Sequence, residues 1–169
     1  MCENNEYFCP TCKNPAKKND DFCPECGTLF VDNVKCINHG LVDADGVCVV
    51  CCEPFCEKCG LVVNDLYFLC DKHSFYEIYE GMARIFGSSD QLEIEFFKDY
   101  LEKEGFHPII YSRKASPISI GGSDYTLFTA SGEFNGHIIN ELKLMVPCQE
   151  VLNAEKVLLE IQNSDGNAI

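Results

Sequence analysis

Cys36-Ile37-Asn38-His39, Cys48-Val49-Val50-Cys51, Cys56-Glu57-Lys58-Cys59 and Cys70-Asp71-Lys72-His73 are four pairs of thiol or imidazole side chains, each with a two-residue gap. Spacers of eight, four and ten residues separate them. Upstream, Cys9-Pro10-Thr11-Cys12 and Cys23-Pro24-Glu25-Cys26-Gly27 repeat the same gap across a ten-residue spacer. A two-residue gap lets both donors of a pair converge on one ion while the backbone turns beneath them, and two pairs supply the four tetrahedral ligands that zinc prefers.

The chain has 169 residues and 13 cysteines, twelve of them between Cys2 and Cys70 and one, Cys148, beyond. The cysteine-rich part has no apolar run long enough to build a core by itself, so disulfides or metal must hold it. The start, Met1-Cys2-Glu3-Asn4-Asn5-Glu6, is polar and lacks the apolar stretch of a signal peptide. No run approaches a bilayer span. The expected compartment is the reducing cytoplasm, where paired cysteines read as metal ligands. The expectation is three structural zinc ions, with Cys9, Cys12, Cys23 and Cys26 holding the first.

Cys36, His39, Cys48, Cys51, Cys56, Cys59, Cys70 and His73 would hold the other two. Sequential pairing and cross-brace pairing both satisfy the chemistry, each giving two sites of three cysteines and one histidine. Cys51 is preferred over Cys52 because it keeps the two-residue gap. Cys2, Cys52 and Cys148 are then spare thiols. No pair is left over to make a three-ligand site with a place for water, which argues for structural over catalytic metal.

The C-P-x-C pairs over residues 7–31 resemble the short zinc ribbons of bacterial and archaeal proteins. The pattern from Cys36 to Cys59 resembles a B-box zinc finger. That resemblance implies cross-brace ligation, with Cys36, His39, Cys56 and Cys59 on one ion and Cys48, Cys51, Cys70 and His73 on the other. The last spacer is longer than the family's, and the last pair is Cys-x2-His where the family has two histidines. RING domains share the cross-brace and open a ubiquitin-ligase alternative, although the order of residue types differs.

Lys and Arg total 13 against 27 Asp and Glu, a formal net charge of -14. Residues 1–73 carry 6 against 12 and the remainder 7 against 15, so both parts are acidic. Nucleic-acid binders neutralise phosphates with clustered Lys and Arg. No such cluster occurs here, which disfavours a nucleic-acid-associated ribbon protein.

From Ser74 the composition becomes that of an ordinary globular domain. Met82–Phe86 reads as a strand, and Ser88-Ser89-Asp90 supplies an N-cap. The following helix runs to Lys103-Glu104 before Gly105 ends it. Its apolar face is expected to be Leu92, Phe96, Phe97, Tyr100 and Leu101, with Glu93, Glu95, Asp99 and Glu102 solvated. Phe106–Tyr111 starts a strand, and Asp124–Thr129 suggests another. Gly121-Gly122, Ser131-Gly132 and Asn135-Gly136 signal turns. Leu142–Val146 ends at Pro147, before a helix over Gln149–Gln162 with Val151, Leu152, Val157, Leu158 and Ile161 on one face. The order β-α-β-(β)-β-α predicts an α+β fold with two helices on one sheet face.

These pieces, with Leu101–Phe106 (LEKEGF) and a closing Leu144–Pro147 (LMVP), resemble a small bacterial family of signal-transducing proteins with a ferredoxin-like or GlnB-like fold. The resemblance covers about residues 80–163 and implies regulation or binding. His107 and His137 have no nucleophile near them in sequence, and Gly121-Gly122-Ser123 lacks a phosphate-loop pattern. No catalytic residue is assigned.

The expected organisation is a zinc ribbon (1–32), a B-box-like double-zinc module (33–75) and an α+β signal-transducing domain (76–169). Tyr76 and Tyr79 are placed to pack the joint between modules. The expected function is a non-enzymatic adaptor or regulator that binds a protein partner, with a small-molecule ligand of the C-terminal domain as a further option.

Overall fold

The computed structural model describes residues 7–17, 19–112, 132–134, 137–139 and 141–165. Cys2, the Gly121-Gly122 turn and the expected strand Asp124–Thr129 lie outside them. The chain divides into two compact units, one of Met1–Gly81 with Cys148–Leu152, the other of Met82–Pro147 with Asn153–Ile169. Among the described residues no helix is long and apolar enough to cross a membrane.

The first unit is built from two-stranded ribbons. β1 (Tyr7–Phe8) pairs with β2 (Pro15–Ala16), β3 (Gly46–Val47) with β4 (Pro54–Phe55), and β5 (Gly60–Val63) with β6 (Tyr67–Cys70), all antiparallel. Asn64 and Asp65 turn β5 into β6 with φ of 52° and 54°, a left-handed conformation that Asn and Asp tolerate best among residues with a Cβ. The side-chain amide of Asn64 also donates to the carbonyl of Ile78 at 2.9 Å.

Besides its cysteines this unit buries Val49, Phe55, Phe68, Leu69, Tyr76 and Ile78. Phe68 is 6% exposed, and a Cβ on Gly46 or Gly60 would come within 2.6 or 2.7 Å of its ring. The two glycines therefore make the space that the ring fills. Backbone bonds radiate from the same residue, whose N–H donates to Cys26 and whose carbonyl accepts from Val49, both at 3.0 Å. Val47 donates to Gly27 at 2.8 Å. The segment around Cys23–Gly27 is thus tied to strands β3 and β6. Tyr76 is buried, with its ring 6.0 Å from that of His73, whereas Tyr79, in β7 (Ile78–Tyr79), is 48% exposed. Glu80 and Gly81, both at positive φ, follow it.

The second unit holds β8 (Met82–Ser88), α1 (Gln91–Lys103), β9 (Ile109–Ser112), β10 (Gly132–Phe134), β11 (His137–Ile139) and β12 (Leu142–Pro147). A 3-10 turn at Cys148–Glu150 leads into α2 (Val151–Asp165). β12 lies between β8 and β9, antiparallel to both. β8 and β9 are therefore mutually parallel, with α1 as their connection. β10 and β11 form a separate hairpin with Phe134 opposite His137; its link, Asn135-Gly136, lies outside the described residues. Gly132, read from sequence as part of a turn, sits in β10.

Both ends of α1 follow the sequence. Asp90 caps it, its carboxylate accepting from the Leu92 N–H at 2.8 Å. At the other end Gly105 takes φ +89°, and Phe106 and Gly105 donate to the carbonyls of Leu101 and Glu102, the Schellman arrangement that satisfies the last carbonyls. The buried face is different from the expected one. It consists of Ile94, Phe97 and Leu101, while Leu92, Phe96 and Tyr100 are exposed. At 100° per residue the five expected positions spread over about 180°, wider than one sheet can cover. Ile94, Phe97 and Leu101 fit within about 60° and win the contact. Phe97 meets the Phe86 ring edge-on at 4.8 Å. In α2 the buried positions are Val151, Ala154, Leu158 and Ile161; Leu152 and Val157 are half-buried.

Candidate metal centres

Three of the six ligand pairs share one backbone turn. In Cys9/Cys12, Cys23/Cys26 and Cys48/Cys51 the first cysteine's carbonyl accepts from the residue after the second cysteine: Lys13 at 3.0 Å, Gly27 at 2.8 Å and Cys52 at 2.8 Å. Its own N–H donates one residue further on, to Asn14, Thr28 and Glu53. Lys13, Gly27 and Cys52 all take positive φ, at 64°, 82° and 58°. In Cys36/His39, Cys56/Cys59 and Cys70/His73 the second ligand's N–H closes directly onto the first ligand's carbonyl, at 3.1, 2.9 and 2.9 Å. Either turn sets the two donors of a pair side by side.

The six pairs meet as three quartets, in each of which all four donor atoms lie within 4.8 Å of one another. They are Cys9, Cys12, Cys23 and Cys26; Cys36, His39, Cys56 and Cys59; and Cys48, Cys51, Cys70 and His73. The last two interleave along the chain, and sequential pairing is not found. Cys51 is inside its quartet; Cys52 is exposed and outside it.

The spacings suit a tetrahedral ion. Metal–sulfur bonds of about 2.3 Å give tetrahedron edges of about 3.8 Å, and a sulfur–nitrogen edge is about 3.6 Å. Cys9–Cys26 and Cys12–Cys23 are each 3.6 Å between sulfurs. His39 Nδ1 lies 3.8, 3.4 and 3.4 Å from the sulfurs of Cys36, Cys56 and Cys59. His73 Nδ1 lies 3.5 and 3.2 Å from those of Cys48 and Cys70. The described cysteines are free thiols rather than disulfides, and each quartet could hold a metal ion.

Electrostatics point the same way. A hydrogen bond from Cys51 brings the Cys48 thiol down to about 4 against the effect of burial, and the same contact pushes Cys51 strongly up. Burial opposes ionisation of Cys9 and Cys36, yet backbone N–H groups of Cys12 and Thr11, and of Cys56 and Asn38, outweigh it and bring them to about 7 and 6. Burial moves their neighbours Cys12 and Cys56 up, and the sulfurs of Cys9 and Cys36 add to it. One sulfur of each quartet thus ionises readily and hinders the next, and a divalent cation would supply the missing counter-charge.

Cys148 is apart from the quartets and buried, its thiol pushed up to about 12 by burial and then by the Glu25 carboxylate. His107 is exposed. The Phe68 centre and the left-handed positions after Cys12 and Cys51 escaped the sequence reading. No family model matches the chain, nor does any curated protein or solved structure.

Proposed function

We propose that the chain is a non-enzymatic zinc-binding adaptor or regulator, acting in the cytoplasm through protein–protein contact in signal transduction. The observation that carries the reading is closure: all twelve expected ligands fall into quartets of four protein donors. Structural zinc sites are closed in this way, whereas catalytic ones reserve a position for water or substrate. Thiolate-rich tetrahedral sets select zinc among abundant divalent ions.

In this reading residues 1–32 are a zinc ribbon and 33–75 a B-box-like double-zinc module, supported by the interleaved quartets. Residues 76–169 form a signal-transducing domain of ferredoxin-like fold, supported by β8 and β9 flanking β12 with α1 between them in sequence. Protein binding is supported by apolar side chains left in solvent around one knuckle: Ile37 at 56%, Leu41 at 97% and Val42 at 48% exposure. The acidity of both halves opposes a nucleic-acid partner.

Native mass spectrometry of the full chain, captured gently from its host, tests this. Three zinc ions and a reproducible protein partner are expected. Fewer than three ions break the ligand assignment, and three ions with a retained small molecule but no protein partner replace the adaptor with a ligand sensor.

A further inference from the structure

α1 carries a second apolar face. Leu92, Phe96 and Tyr100, spaced four residues apart, are 77%, 52% and 37% exposed. At 100° per residue they occupy an arc of about 80°, along about 12 Å of helix. Isolated exposed apolar residues are ordinary on a protein surface. Three in register form a stripe, and this one is held in place. The Phe96 ring lies 5.6 Å from Phe97, which meets Phe86 at 4.8 Å. A run of three rings from sheet to surface thus orders the outermost one before anything binds, which lowers the cost of docking.

The borders of the stripe are acidic. By helical position Glu95, Asp99 and Glu102 follow one edge and Glu93 the other, all four exposed. Lys98 is paired with Glu102, leaving Lys103 as the cation near the stripe's C-terminal end. Such borders repel a second copy of a chain whose net charge is -14, and they repel anionic lipid and nucleic acid.

We infer that the Leu92–Phe96–Tyr100 stripe docks a basic amphipathic helix of a partner protein. Apolar side chains at i, i+4 and i+7 of that helix lie along Phe96, and its Lys or Arg flanks face Glu95 and Asp99. The inference rests on the protein-binding reading above and adds to the Ile37–Val42 knuckle a second surface and the chemistry of the partner it takes.

The test uses the full zinc-loaded chain and a labelled helical peptide of about 18 residues, with leucine at i, i+4 and i+7 and lysine at the flanks. A control peptide carries glutamate in place of lysine. The lysine peptide is expected to bind, with amide shifts concentrated in Gln91–Lys103, and the glutamate peptide is not. Replacing Leu92→Ser and Phe96→Ser together changes no charge and should weaken binding about tenfold or more, with zinc content and amide dispersion unchanged. Unaltered affinity in that variant overturns the proposal, as do shifts centred on other acidic surfaces. So does self-association of the unmodified chain that the double variant abolishes. If the stripe fails while host capture still recovers a protein partner, the adaptor reading stands without this surface. If host capture recovers no protein partner, both fall.

Discussion

Gly27 and Cys52 hold the same place in two copies of one turn. Each follows the second cysteine of a pair, each takes positive φ, and each donates its N–H to the first cysteine's carbonyl at 2.8 Å. The position asks for a left-handed residue and not for a sulfur. Cys52 is therefore a cysteine by neighbourhood only, while the ligand beside it, Cys51, is fixed by the geometry of the bend.

The two positions should respond oppositely to substitution. Cys52→Gly relieves a left-handed Cβ and should leave stability equal or up to about 1 kcal/mol higher, with metal content unchanged. At Gly27 a Cβ would meet the Val47 carbonyl oxygen at 2.0 Å, so Gly27→Ala should lower the melting temperature sharply. Thermal unfolding in excess zinc, paired with metal counting, checks both. Cys51→Ser should lose one ion where Cys52→Ser loses none.

Removing metal should unfold the first unit. Structural zinc contributes roughly 10–16 kcal/mol apparent in small fingers at neutral pH, against about 5–15 for an entire domain. On adding a strong chelator, amide protection across Cys9–His73 should collapse while that of α1 persists. Protection surviving in Cys9–His73 would show that metal is not what holds this unit together.

Phe68→Ala should destabilise the first unit by about 3–5 kcal/mol, because the glycine-lined space cannot close around a methyl group. Phe68→Leu should recover part of the loss. Zinc release under chelator competition reads out the effect, and equal release from all three proteins would count against the role given to the ring.

Stability should fall at both pH extremes for separable reasons. Cys148 is raised to about 12 from an ordinary value of 9.0, so the folded state favours the neutral thiol. Its contribution is complete below about pH 9 and is lost as pH climbs toward 12. Acid acts at the quartets instead, where protons compete with the metal for the sulfurs and stability should fall together with metal content. Unfolding titrations of Cys148→Ala should flatten the alkaline limb and leave the acid limb in place.

Local chemistry was what the sequence made legible. The two-residue gaps exposed every ligand, and Asp90 and Gly105 marked the ends of α1, because caps and knuckles depend on neighbours a few positions away. What it concealed depends on distant partners. Spacing alone was compatible with either pairing of Cys36–His73; the B-box resemblance implied the interleaved one, which is realised where β3 and β6 are brought together through Val49 and Phe68. The choice of Ile94 over Leu92 for burial was likewise set by the sheet rather than the helix. Residues 148–152 belong with the first unit, a return that no local signal announces.

Interleaving gives the stretch Cys52–Phe55 an unusual status. It carries no ligand, yet it lies inside the loop closed by Cys36 and Cys59 and also inside the loop closed by Cys48 and His73. Were the centres arranged side by side, a protease cutting there would pass between them and leave two complete fingers. Here the same cut places two ligands of each interleaved quartet on each fragment and leaves the Cys9–Cys26 quartet whole. The halves would then be joined by two ions and no peptide bond, a clasp that a chelator could open and fresh metal could close again.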